Sequence, residues 1–166
     1  MMQKIKRSPH VSFKTVLSSP KMFAAFGFGS GLSPIVPGTM GTVAAIPLYL
    51  GLMLLPWWAY GVVVVVTGLV GIHLCGFASQ KLGVHDHSGI VWDEFVGFWI
   101  TMFLVPFSWL NVLIGFILFR IFDMAKPWPI SWVDKHVHGG FGIMIDDVIA
   151  GIAAWACLQL LLIYLL

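Results

Sequence analysis

Charged positions along the chain are gathered into a few short stretches, with long uncharged runs between them. No Asp, Glu, Lys or Arg lies between Lys21 and Lys81, between Glu94 and Arg120, or after Asp147. Each run meets or approaches the roughly 20 residues that cross a bilayer core of about 30 Å. The pattern predicts helices over residues 40–55, 59–80 and 143–165, and helical structure through 90–124. Thr39 is placed to cap the first of these. Pro56-Trp57-Trp58 supplies a turn with an aromatic interface anchor. Pro106, Ser108 and Asn111 break the 90–124 stretch into a hairpin, with Trp109 at the far interface. Two helices of about 16 residues are each about 24 Å long. That is slightly short of the core, so their polar ends sit at or just inside the interface.

The segment 27–39 is dense in Gly, Pro, Ser and Thr, which breaks regular structure. It nevertheless falls inside an uncharged run, so its backbone groups must be buried in protein or line a polar cavity. The fold class that follows is all-α. The chain reads as a polytopic membrane protein, a compact bundle of about four to five transmembrane helices with a broken Gly/Pro-rich N-terminal segment. Residues 1–21 form a basic leader and residues 22–166 a single membrane-embedded domain. Lys4, Lys6, Arg7, Lys14 and Lys21, interrupted by Pro9 and Pro20, do not make a cleavable signal. Five of the nine basic residues lie in this leader, which places it in the cytoplasm with both polar loops.

Composition strengthens the membrane reading. The chain is 59% hydrophobic and 10% charged, against about 25% charged in soluble domains. A net charge of +2 with scattered basic residues argues against nucleic-acid binding. Cys75 and Cys157 fall in apolar runs and read as small hydrophobes. Cys75 is followed by Gly-Phe-Ala-Ser-Gln-Lys81, which is no phosphate-cradling loop of a cysteine phosphatase.

All seven acids lie between Asp86 and Asp147. Asp93-Glu94 and Asp146-Asp147 each fall in the first turn of a predicted helix, where an ionised carboxylate is favoured. Asp123, near the end of the intervening helix, shares their depth. Carboxylates so gathered repel one another unless a cation joins them. Oxygen donors without thiols select a hard ion, most simply Mg²⁺. A single Asp at a helix start most often only caps it; two pairs plus Asp123 ask for more. Asp134, beside Lys135 in a polar loop, needs no special role.

Arg120 shares a helical face with Asp123. It either grips a phosphate or bridges to that carboxylate. Lys126 either does the same or snorkels to the interface. His85-Asp86-His87 and His136-Val137-His138 offer proton transfer or headgroup contact, and only a weak zinc signal. His73 reads as a hydrogen-bonded residue inside a span. Ser30, Ser33 and Thr39 belong to a segment that can present backbone N–H groups to a phosphate ahead of a helix.

Four blocks together resemble the phosphatidylglycerophosphatase A family of bacteria: residues 27–40 (GFGSGLSPIVPGTM), 83–97 (GVHDHSGIVWDEFVG), 119–130 (FRIFDMAKPWPI) and 137–151 (VHGGFGIMIDDVIAG). The resemblance implies a Mg²⁺-dependent, multi-pass lipid phosphatase of the bacterial inner membrane with its active site facing the cytoplasm. Its substrate is phosphatidylglycerophosphate, and removal of the terminal phosphate gives phosphatidylglycerol in phospholipid biosynthesis. On this reading Asp86, Asp93, Glu94, Asp123, Asp146 and Asp147 are the catalytic acids, and all but Asp86 are candidate metal ligands. Arg120, Lys126, His85, His87, His136, His138, Ser30, Ser33 and Thr39 are the candidate phosphate contacts. The rival from another class is a small cation transporter or channel using the same carboxylates, which would spread them along a pore. A phosphotransferase for CDP-activated alcohols is disfavoured, because Asp146-Asp147 does not fit its aspartate spacing.

Overall fold

The computed structural model describes residues 11–165, so the basic residues Lys4, Lys6 and Arg7 lie outside the described part. The described residues form eight α-helices and no strand: α1 (Phe13–Leu17), α2 (Pro20–Ala25), α3 (Pro37–Leu52), α4 (Trp57–Leu82), α5 (Trp92–Thr101), α6 (Trp109–Ala125), α7 (Ile130–His136) and α8 (Gly139–Leu165). A short 3₁₀ segment, Gly27–Leu32, joins α2 to the approach to α3, with Phe28 and Gly29 at positive φ inside it. The Gly/Pro-rich stretch is therefore broken, as its composition predicts. It is not loose: Val91 N–H donates to Ala25 O at 2.9 Å, tying the start of this stretch to the entry of α5.

Two helices, α4 and α8, are long and apolar enough to cross a membrane. Their outward faces are also apolar. Val62, Val65, Leu69, Ile152 and Ile163 are all exposed, a liability in water and a match to lipid. This fits a membrane protein.

Helix directions follow from side-chain neighbours. Tyr60 Oη donates to Trp99 O at 2.7 Å, and Trp92 Nε1 to Thr67 O at 3.1 Å, so α4 and α5 run antiparallel. Gly38 lies by Glu94, and Trp99 Nε1 donates to Ala45 O, so α3 runs with α5. Glu94 lies by Asp147, and Thr101 Oγ1 donates to Gly151 O at 3.3 Å, which sets α8 parallel to α5. Helix α6 runs the other way, since Phe119 lies by Gly97 and Gly115 by Met102 at the end of α5. The N-terminal ends of α3 and α5 and the C-terminal end of α6 therefore gather at one end of the bundle.

The 90–124 stretch is split into two helices, with Ser108 Oγ accepting from Asn111 N at 3.0 Å to cap α6. The halves are unequal, contrary to the expectation of two similar helices. Helix α5 has 10 residues and α6 has 17. Nearly every α5 side chain is buried, because α3, α4, α6 and α8 all pack around it. A helix walled in by protein has no need to match bilayer thickness. At Gly151, an added Cβ would press on Gly97 O. Small residues here let the α5 and α8 backbones approach, and that approach sets the spacing of the acids each helix carries.

Three local expectations change. Helix α3 begins at Pro37 with Val36 as its cap residue, so Thr39 is a first-turn residue and not the cap. Proline at a first helical position already fits the helix φ and has no N–H to leave unpaired. Trp57 and Trp58 open α4 instead of forming a turn, though both are exposed at its end. The 126–142 loop contains α7. Residues 13–25 form helices docked on the bundle, with Val16 and Met22 buried. Lys21 Nζ lies 3.0 Å from His73 Nε2 on α4, giving that histidine the hydrogen bond expected of it.

Candidate active site

Three elements carry the acids to one place. Asp93 and Glu94 occupy the first turn of α5, as the sequence predicts. Asp123 lies in the last turn of α6, held by Arg120 one turn earlier, with Nη1 to Oδ2 at 2.7 Å. Asp146 and Asp147 do not lie in a first turn, because α8 starts at Gly139. They sit roughly two turns inside it, and the helix dipole gives them little help. Their carboxylates are stabilised by neighbours: Asp146 Oδ2 accepts from Lys126 Nζ at 2.7 Å.

These side chains line a cavity of about 270 Å³. Its walls hold Asp86, Asp93, Glu94, Asp123, Asp146 and Asp147 with Arg120 and Lys126, and the first turn of α3 closes one side through Gly38 and Thr39. Six carboxylates thus face two cations. Burial alone would lower the Lys126 ammonium, but hydrogen bonds to Asp134 and Asp146 outweigh it and hold the group raised and charged. Asp134, which the sequence leaves without a role, clamps Lys126 at 2.6 Å. Val36 and Lys126 both adopt positive φ without being glycine. Such strain in a β-branched residue and a lysine persists only where the surroundings enforce it, and both flank the cavity. At Gly38, any Cβ would overlap Glu94 Oε1, so the α3 backbone reaches the carboxylates only because no side chain intervenes.

Several buried oxygens in this cavity have no hydrogen-bond partner: Asp93 Oδ1, Glu94 Oε2, Asp146 Oδ1 and Asp147 Oδ2. Buried polar atoms left unpaired are costly, and four on one cavity ask for a ligand. Asp93, Glu94 and Asp147 each bring an oxygen within 4.8 Å of the other two. An all-oxygen set of that spread suits a hard divalent cation. Arg120 Nε is likewise buried and unpartnered, a spare donor beside the acids.

Not every candidate converges. Ser30 Oγ donates to Gly27 O and Ser33 Oγ to Ile35 O, so both hydroxyls serve their own loop. His85 accepts from Gly139 N at 2.9 Å and packs edge-on to His138. His136 stacks on Trp132. His87 is buried, with Nδ1 accepting from Gly89 N and its ring near Phe26. None of these six lines the cavity. Sequence reasoning overlooked Gly38, Ser88 and Asp134. The Gly38 signal was present in its place after Pro37, in the first turn of α3; Ser88 carried none, because loop conformation brings it in, and Asp134 reaches Lys126 from α7, a helix within the polar loop.

A family model described as phosphatidylglycerophosphatase A matches residues 23–162. The chain belongs to the phosphatidylglycerophosphatase A family. It is 55% identical over 137 residues to the phosphatidylglycerophosphatase A of Escherichia coli strain K12, covering 82% of this chain and 80% of that protein. It is 45% identical over 145 residues to the protein of that name in Haemophilus influenzae, covering 85% of this chain and 88% of the relative. No solved structure matches the chain. In this family member the matched region contains every residue lining the acid cavity.

Proposed function

We propose that this chain hydrolyses the terminal phosphate of phosphatidylglycerophosphate, giving phosphatidylglycerol and inorganic phosphate, as a multi-pass enzyme of the bacterial inner membrane. The observation that carries this reading is the cavity itself: clustered acids, a guanidinium and a helix N-terminus at one end of an apolar bundle. Along α6, Asp123 lies about 21 Å beyond Trp109, at 1.5 Å per residue. Against a core of about 30 Å, the acids then sit a little beneath the interface opposite Trp109. That is where a lipid presents its phosphate. Exposed Trp128 and Trp132 mark this second interface, which we assign to the cytoplasmic side.

Asp93, Glu94 and Asp147 would hold Mg²⁺, with Asp146 Oδ1 as a further donor. A Mg²⁺ ion bound there supplies charge neutralisation and polarisation of the phosphoryl group. Arg120 donates to the phosphoryl oxygens from its unpartnered Nε, and the N–H groups of Gly38 and Thr39 orient the phosphate. Lys126, fixed by Asp134 and Asp146, keeps a second positive charge at the wall. Water attacks phosphorus and gives up one proton, the bond to the glycerol oxygen breaks, and that oxygen takes up a proton, so none is gained or lost. Asp86, exposed in the polar loop at the cavity rim, is placed to exchange that proton with solvent. Nothing favours the ion-pathway alternative, since the acids meet at one level instead of lining a pore.

The direct test is the purified chain in detergent with phosphatidylglycerophosphate and Mg²⁺. Equimolar phosphate and phosphatidylglycerol are expected. No release with Mg²⁺ present overturns the reading.

A further inference from the structure

The polar cavity continues beyond Arg120. Thr39, Arg120 and Met124 also form the inner end of a second, apolar cavity of about 610 Å³, walled by Phe116, Ile117 and Ile121 of α6. It exists because α3 packs on α5 and not broadly on α6, which leaves a gap between α3 and α6. Ile117, Ile121 and Met124 are exposed on the outer side of α6, so the groove opens sideways onto the apolar surface of the bundle.

We propose that this groove is the lateral entrance for the substrate and the seat of its acyl chains. The proposal rests on the lipid-phosphatase reading above. A lipid phosphate monoester joins an apolar tail to a strongly hydrated head. Drawing such a tail through the polar end would expose it to water at about 25 cal/mol per Å² of apolar surface. A groove that opens on hydrocarbon and ends at Arg120 avoids that cost. It leaves the tail in an apolar setting while the phosphate passes Arg120 to the acids. The charge order supports this occupant: apolar along α6, then a guanidinium, then the acid cluster. A second apolar groove of about 360 Å³, lined by Trp57, Trp58, Val62 and Phe103, offers similar surface at the start of α4. It shares no residue with the polar cavity, so it serves as the internal control.

The test compares two substrates in each variant: dioleoyl phosphatidylglycerophosphate and its deacylated headgroup analogue. Ile117→Trp fills the α3–α6 groove. It is expected to lower the lipid-to-headgroup ratio of kcat/KM about tenfold, chiefly through a higher KM for the lipid. Val62→Trp, in the other groove, is expected to leave the ratio as in the unaltered chain. An unchanged ratio in Ile117→Trp, or an equal fall in Val62→Trp, overturns the proposal. Because a tryptophan there can also disturb folding, the unaltered chain is labelled with a substrate analogue carrying a diazirine on one acyl chain. Crosslinks within residues 116–125 support the groove, and crosslinks confined to residues 57–66 overturn it. If the unaltered chain releases no phosphate from the lipid, the phosphatase reading fails instead, and the crosslinks still decide where a lipid phosphate sits.

Discussion

Asp147→Asn is expected to lower phosphate release on the order of 1,000-fold, while raising thermal stability measured in chelator. The two directions come from one cause. Asp147 is buried beside Asp93, Glu94 and Asp123, and clustered like charges oppose folding when nothing neutralises them. Asparagine keeps the shape and one oxygen but removes the charge, so the metal-free bundle is relieved. A site that must neutralise a phosphoryl group loses a ligand charge at the same step. A purely structural Asp147 would give the opposite pattern, with lower stability and activity falling only with it. Melting in detergent with chelator, beside initial rates with Mg²⁺, separates the two.

Arg120→Lys carries the second-largest expected effect, a fall in kcat/KM of about 100-fold, similar to loss of one oriented donor to a transition state. The charge is kept, so the loss reports geometry. Arg120 Nη1 lies 2.7 Å from Asp123, 3.7 Å from Glu94 and 3.4 Å from Thr42 Oγ1, and Nε remains free for a ligand. Nη1 alone meets those three partners, so the planar fork still presents Nε to a ligand; an ammonium at the Nη1 position has no second donor held in that plane. The sequence left open whether Arg120 binds phosphate or bridges to Asp123. The guanidinium has enough donors for both. Retained kcat/KM in Arg120→Lys would reduce it to a structural bridge. The same assay reads both variants.

Much of this site was legible because charge is scarce in the chain. With seven acids among 166 residues and all of them between positions 86 and 147, the topology had only to bring one stretch to one end. The hairpin break at Pro106 to Asn111 was readable from residues that cap and turn. What escaped depends on backbone placement. The α8 start moved to Gly139 because Gly140, having no side chain, packs closely on the α4 backbone at Ile72 and Gly76, so the dipole argument for Asp146-Asp147 fails while their position survives. The short length of α5 could not be read from hydropathy, since a helix buried in protein and one facing lipid are equally apolar. Ser30, Ser33 and the paired histidines looked chemical by type, yet their hydrogen bonds and ring contacts serve loops and helix ends. Asp134 looked idle and instead fixes Lys126.

Every role assigned above depends on Asp93, Glu94 and Asp147 holding a divalent cation. The most direct measurement is electron paramagnetic resonance of Mn²⁺ added, as a stand-in for Mg²⁺, to the purified chain after chelation. The account expects saturable Mn²⁺ binding with oxygen ligands, displaced by Mg²⁺ and lost in Asp147→Asn at unchanged helical content. Mn²⁺ bound equally well by Asp147→Asn, or not bound by the unaltered chain, would contradict it.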